Sequence, residues 1–117
     1  MARYDWLVFS NCAPGEDDSF NRWYDEIHIP DLLRIPGVVG ATRSRLSAPQ
    51  LRVNEDGSMD VCDAEGISAR FGYLAVYELE TDDPERVLDE VIKRAGTPEM
   101  LLSEHLGEVY TTLYEAI

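Results

Sequence analysis

The run from Phe20 to Gly37 constrains this chain more than any other stretch. Phe20, Trp23, Tyr24 and Ile27 fall at i, i+3, i+4 and i+7, which predicts one apolar face of a helix. Pro30 has no N–H, and its ring meets the carbonyl four residues back. The regular ladder is therefore expected to end there, with Ile29 pushed toward extended geometry. His28 then falls in the last turn, one helical step from Tyr24 and at the negative end of the helix dipole. A second short turn over residues 30–35 follows, and Pro36 with Gly37 closes it. A histidine at a helix break, beside two aromatic rings, is where chemistry is easiest to place in this sequence.

The other elements follow in order. Residues 4–12 are aromatic and aliphatic, too few for a helix, and stop at Pro14 and Gly15, so they read as a strand. Glu16, Asp17 and Asp18 put negative charge at the start of the next helix, with Asp18 or Ser19 as its cap. Residues 38–46 form a second strand. The segment 47–69 is the least regular. Within it Asp56 and Gly57 signal a hairpin turn that would pair Leu51 and Val53 with Met59 and Val61 in a small ribbon. The whole segment reads as an insertion or a lid. Residues 71–79 make a third strand with Phe71, Tyr73, Ala75 and Tyr77 on one face. The second helix has Asp83 as cap, Pro84 as first residue and a stripe of Val87, Leu88, Val91, Ile92 and Ala95, closed by Gly96. A short helical piece from Thr97 to about His105 and a last strand over residues 109–116 complete the chain.

With 117 residues, these elements make one domain spanning residues 1–117. Ten basic and twenty-three acidic residues give a formal charge of −13. Phosphate backbones and anionic membrane surfaces both require clustered lysine and arginine, so neither nucleic acid nor membrane is expected as a partner. No apolar run is long enough to span a bilayer, and the start of the chain has no signal-peptide pattern, so a cytoplasmic location is expected. Cys12 and Cys62 lie far apart, without a CxxC or a neighbouring histidine, and read as free thiols. No cysteine or histidine spacing suits a metal or haem, so no cofactor is expected.

Strand, helix, strand, strand, helix, strand is most simply a ferredoxin-like βαββαβ fold of the α+β class. Its four-stranded antiparallel sheet has order 4-1-3-2 and both helices on one face. The uncovered face is apolar enough to call for a second copy, hence a homodimer. In this topology the end of the first helix lies near Tyr4 or Trp6, Tyr77 and Tyr114, whereas Arg43 and Arg45 belong toward the opposite end. The strand parity that faces the helices does not follow from the pattern.

The run Trp23-Tyr24, His28, Pro30 and the close Ile35-Pro36-Gly37 resembles the EthD-like branch of the dimeric α+β barrel superfamily, and the element order matches across nearly the whole chain. The resemblance implies a homodimer joined through the open sheet faces, with a small pocket between helices and sheet in each subunit. Its members include muconolactone-type isomerases, polyketide cyclases, decarboxylases, cofactor-free monooxygenases and proteins without known activity. His28, Trp23 and Tyr24 are the residues that carry over.

His28 is the candidate catalytic residue, as general acid/base or as a donor to a substrate carbonyl. The structural alternative is a histidine that bonds carbonyls freed by Pro30. Its charge stays open, because the helix end, Asp25 and Asp31 favour imidazolium and apolar burial opposes it. Trp6, Trp23, Tyr24, Tyr77 and Tyr114 are candidate walls for an apolar or aromatic ligand, and Arg43 could hold a substrate carboxylate. Each has a plainer reading as core or surface. Two functions remain open. One is a cofactor-independent isomerase, cyclase, lyase or monooxygenase acting by proton transfer on an aromatic, lactone or polyketide-like compound. The other is a stress-associated or small-ligand-binding module without turnover.

Overall fold

Trp6, Val8 and Ser10 alternate along the first strand, β1 (Arg3–Cys12), and all three are buried. That alternation sets which face of the sheet is covered. In the computed structural model, which describes residues 1–117, β1 lies at the centre of an antiparallel sheet with β2 (Val38–Arg45), β5 (Tyr73–Glu80) and β6 (Leu106–Glu115), in the order β2-β5-β1-β6. This is the ferredoxin-like order expected from the element sequence. Cross-strand rows follow from the register: Trp6 lies between Tyr77 and Leu113, Val8 between Ala75 and Thr111, and Ser10 between Tyr73 and Val109. On β2, Ala41 is opposite Tyr77, Arg43 opposite Ala75 and Arg45 opposite Tyr73.

Both helical segments pack on this face. Phe20, Trp23, Tyr24, Leu32 and Ile35 from the first, and Val87 from the second, join Trp6, Val8, Ala75, Tyr77 and Leu79 in one core. No helix is long and apolar enough to cross a membrane. Gly37 is required where the chain leaves the first helix. Its φ is +102°, and a Cβ there would come within 2.8 Å of Val87 Cγ2.

Pro30 does not end the first helix. Residues Asp17–Trp23 form α1, Tyr24–His28 a single π-helical turn and Ile29–Leu33 α2, without a break between them. Ile29 is helical (φ −57°, ψ −50°), and its N–H reaches back five residues to the Tyr24 carbonyl. The expected extended Ile29 is thus overturned. A widened turn re-routes the ladder around the residue that cannot donate, relieving the clash a regular helix would suffer.

The π-turn also shifts the phase of the apolar stripe. Ile27, expected on the buried face, is 42% exposed; beyond Tyr24 the buried residues are Leu32 and Ile35. The face therefore restarts at 28, 32 and 35, one residue out of step with 20, 23 and 24. The cap differs as well. Glu16 stands at the N-terminus without a side-chain bond, and the Asp17 carboxylate instead accepts from the Tyr73 hydroxyl (2.5 Å).

The second helix, α3 (Pro84–Arg94), starts as expected: Asp83 Oδ1 accepts from the Arg86 N–H (3.1 Å) and Gly96 (φ +81°) follows its end. Ile92, however, is 74% exposed and lies outside the core. Residues 97–105 are turns instead of a helix. Met100 is buried in the core, Gly96 N–H bonds the Met100 carbonyl (2.9 Å), and the Leu101 carbonyl accepts from Trp23 Nε1 (2.9 Å). Tertiary partners take the backbone groups that a helix would have used.

The insertion between β2 and β5 is a two-stranded ribbon, β3 (Gln50–Val53) and β4 (Met59–Cys62), followed by a 3-10 turn (Glu65–Ile67). Leu51 faces Val61 and Val53 faces Met59, the expected pairing. Gly57 takes φ +87° in the connecting turn, where Asp56 accepts from Ser58 N–H (2.9 Å). Cys12 and Cys62 are free, half-buried thiols.

Candidate functional site

The π-turn decides where the His28 ring goes. In a regular helix, residues five apart point about 140° away from each other. The wider turn reduces that angle and brings His28 onto Trp23, the two rings stacked with centroids 4.6 Å apart and planes 23° from parallel. Tyr24 meets His28 edge-on at 5.2 Å. Trp23 is itself anchored by its bond to Leu101, so the imidazole rests on a fixed plane. A π-turn inside a helix costs regular hydrogen-bond geometry and is found disproportionately where a side chain must be placed for function.

Around Tyr24 the core is polar without being paired. His28 Nδ1, the Tyr77 hydroxyl and the Ser10 hydroxyl are buried and have no hydrogen-bond partner, and Tyr77 and Ser10 are each 1% exposed. A buried polar atom left unpaired costs about 1–3 kcal/mol, so three in one small region require a reason. Trp6 packs on Tyr77 with ring centroids 5.0 Å apart. Phe20 packs on Trp23, Tyr24 and Tyr73 at 6.0, 5.4 and 5.2 Å, and so holds the aromatic wall together.

Burial decides the charge of His28. Loss of water pushes its pKa down from 6.5 to about 4; Asp31 pulls it up, and Arg43 pushes it further down. Asp31 is itself paired with Arg34, which blunts its pull. The imidazole is therefore neutral at neutral pH. Burial also raises the Tyr77 phenol far above its usual range, with the adjoining Tyr24 adding to the effect. Tyr24 is raised too, again mainly by burial, against smaller opposing effects of Arg43 and of the Tyr77 and Ser10 hydroxyls, which lie beside its own without meeting it in ordinary hydrogen-bond geometry. Both phenols stay protonated and can act as donors.

Arg43 lies over Tyr24, opposite Ala75 partway along the sheet, and not at its far end. Its guanidinium lies 4.1 Å from the Tyr24 ring centroid and donates to Asp25 Oδ1 (3.0 Å) and Asn21 Oδ1 (2.9 Å). Strand direction alone places it toward the opposite end. Asn21 and Asp25, one helical turn apart, reach β2 and draw Arg43 over the ring. Beside these residues, Ser44, Arg45 and Tyr73 complete a cleft of about 460 Å³.

Tyr114 is not at the site. Leu113 lies beside Trp6 on the covered face, so Tyr114, one residue on and opposite Asp5, projects from the other face and is 61% exposed. A one-residue step along a strand reverses the face. His105 is remote as well; its Nε2 lies 3.8 Å from Glu16, which precedes the first turn of the helical segment, whereas His28 lies about three turns further on. Ser10, which the sequence reading missed, adjoins the aromatic cluster with its hydroxyl buried. Its signal was a lone hydroxyl in an inward row otherwise made of Trp6 and Val8.

A ferredoxin-like α+β domain with a neutral histidine packed into a buried aromatic cluster, beside a polar cleft, is the class of protein these features define. No protein-family model and no curated protein matches the sequence. Among solved structures, the chain is similar to a protein from Shewanella loihica PV-4 described as a candidate monooxygenase: 13% identity and a TM-score of 0.56, over 100% of this chain and 97% of that one. It is also similar to an EthD family protein from Bacillus halodurans C-125, with 16% identity and a TM-score of 0.44 over 100% of each chain. The first likeness shows the fold alone, and the second is too loose to carry an argument.

Proposed function

We propose that this chain is a cytoplasmic, cofactor-independent enzyme of the EthD-like branch that acts by proton transfer on an aromatic, lactone or polyketide-like small molecule, with His28 as the acid/base. The observation that carries this reading is the neutral His28 imidazole, held flat on Trp23 with Nδ1 unpaired. Proton abstraction next to a substrate carbonyl breaks a C–H bond, moves the proton to the imidazole and leaves the electron pair on the carbonyl oxygen. An imidazole of pKa about 4 is a weak base, so the enolate needs donors. Tyr77 and Tyr24, both held protonated, are the phenols available for that role. Return of the proton to a different carbon is isomerisation; attack of the carbanion on a second carbonyl of the same molecule, whose oxygen then takes the proton from the imidazolium, is cyclisation. A cofactor-free monooxygenase would start with the same abstraction, the carbanion then meeting dioxygen.

The enzyme is proposed to work as a homodimer. Phe9, Phe71 and Tyr110 form an aromatic cluster outside the covered core, with centroids 6.0, 6.2 and 6.4 Å apart, and Tyr110 is 54% exposed. Burying such a face would contribute about 25 cal/mol per Å². Light scattering that returns a monomer at micromolar concentration would remove this part of the proposal.

One observation favours the ligand-binding alternative. The 460 Å³ cleft is lined by Asn21, Asp25, Arg43, Ser44, Arg45 and Tyr73, and His28 is not among them. The test is exchange of the carbon-bound proton in deuterium oxide, followed by NMR, with aryl 1,3-diketones and unsaturated lactones as probes. Wild-type protein should accelerate exchange, and His28→Ala should lower that rate roughly 10²–10⁴-fold with the fold retained. His28→Gln keeps a hydrogen-bonding side chain but does not titrate near neutral pH. Full activity in His28→Gln, or unfolding of His28→Ala alone, makes the residue structural and favours the binding module.

A further inference from the structure

The β3–β4 ribbon has two unlike faces. On one, Arg52 clasps Asp60 through two bonds (2.9 and 2.5 Å) and reaches the Gly66 carbonyl of the 3-10 turn (3.4 Å). The other is made of Leu51, Val53, Met59 and Val61, which the register places together, and they are 62, 65, 65 and 76% exposed. Four apolar side chains side by side in water are unusual on a finished surface, and an isolated two-stranded hairpin is marginal without something to pack on.

The dimensions show how far the molecule departs from a closed monomer. Its Cα radius of gyration is 16.1 Å, against about 13 Å for a compact chain of this length. It exposes 7591 Å², where a folded monomer of its mass exposes about 6,400 Å², an excess of roughly 1,200 Å². A stable interface needs about 800 Å² per partner. The excess surface of one chain is therefore enough for a specific interface.

The ribbon is rooted beside the open sheet face. Leu46, where the chain departs, and Phe71, where it returns, line one groove with Phe9 and Leu74, about 240 Å³ in volume. The ribbon thus springs from the border of the surface proposed above to meet a second copy. Its exposed apolar face carries no charge, which suits association between two chains that each bear −13.

We infer that the ribbon is an exchange arm: in the dimer, the Leu51, Val53, Met59 and Val61 face of each copy closes on the other copy. This rests on the homodimer reading and adds to it a second, chain-specific contact. Methionine oxidation tests it on the full chain, with internal controls. Met1 is 85% exposed and Met100 1%. Under mild peroxide, with oxidation of each methionine followed by peptide mass spectrometry, Met59 should oxidise as slowly as Met100 while the chain is dimeric, and approach the rate of Met1 on dilution to monomer. Leu51→Thr with Val61→Thr, a directly paired and exposed couple in which two threonines suit the strands, should raise the dimer dissociation constant at least tenfold and release Met59. A dimer whose Met59 oxidises as fast as Met1 overturns the arm and leaves the sheet-face dimer standing. Protection of Met59 that persists in the monomer overturns the arm as well, since the cover would then be internal. A wild-type chain that is monomeric at every concentration overturns both.

Discussion

On the helix-covered face of the sheet, Tyr77 and Ser10 have lost water without gaining a hydrogen bond; on the other face, Tyr114 keeps water although much of its ring is apolar. Both departures run against the usual sorting of polar and apolar groups, but they indicate different things. An unpaired polar atom in a dry pocket stores free energy that a bound molecule can recover, which is how a ligand site looks before the ligand arrives. An apolar ring in water stores free energy that a second surface can recover, which is how an interface looks before assembly. The covered face is read as chemistry and the open face as association.

Core truncation should separate the two faces most sharply. Phe20 is fully buried against Trp23, Tyr24 and Tyr73, so Phe20→Ala should cost about 3–5 kcal/mol in denaturant unfolding. Tyr110→Ala on the open face should change monomer unfolding by less than about 1 kcal/mol and act instead on dimer dissociation. Equal losses in monomer stability would erase the distinction.

The next effect is a pH dependence confined to the covered face. His28 has a folded pKa of about 4 against 6.5 when unfolded, so in that window the unfolded chain binds the proton and the folded one does not. The stability associated with the neutral ring is complete above pH 6.5 and is lost as the pH falls toward 4, an effect of about 1–3 kcal/mol. Unfolding curves of wild type and His28→Gln measured from pH 7 to pH 4 should diverge by that amount, with wild type losing more. Parallel curves would mean that the ring takes up a proton as easily in the folded chain.

A smaller effect should have opposite signs for stability and function. The Tyr77 hydroxyl has no partner, so Tyr77→Phe should leave the fold unchanged or up to about 1 kcal/mol more stable while slowing proton exchange in the probes. A clear loss of stability would show that the hydroxyl is bonded after all. The finest change is Arg43→Met, which removes a positive charge that depresses His28. The His28 titration, followed by NMR of the ring protons, should move up from about 4; an unmoved titration would leave burial as the only cause.

Much of this was legible residue by residue. Strand–helix order, the Asp83 cap, the Gly96 stop and the Leu51–Val61 pairing are local, since each depends on a few neighbouring side chains and the two backbone periods. His28 beside Trp23 and Tyr24 was visible for the same reason. The phase shift after Tyr24 was also present in the sequence, because Leu32 and Ile35 sit out of step with Phe20, but a proline at 30 suggested an end and not a detour.

Other features belonged to the tertiary structure alone. Strand parity put Tyr114 on the face away from His28, and parity is set by which side of the sheet the helices cover, a matter of contacts between distant segments. Arg43 came to Tyr24 because Asn21 and Asp25 reached across from the helix. The charge of His28 turned on the balance between lost water and the nearby Asp31 and Arg43. Amino-acid order determines local geometry because backbone sterics act over a few residues. It leaves burial undecided, because the water a side chain loses depends on every segment that comes to lie against it.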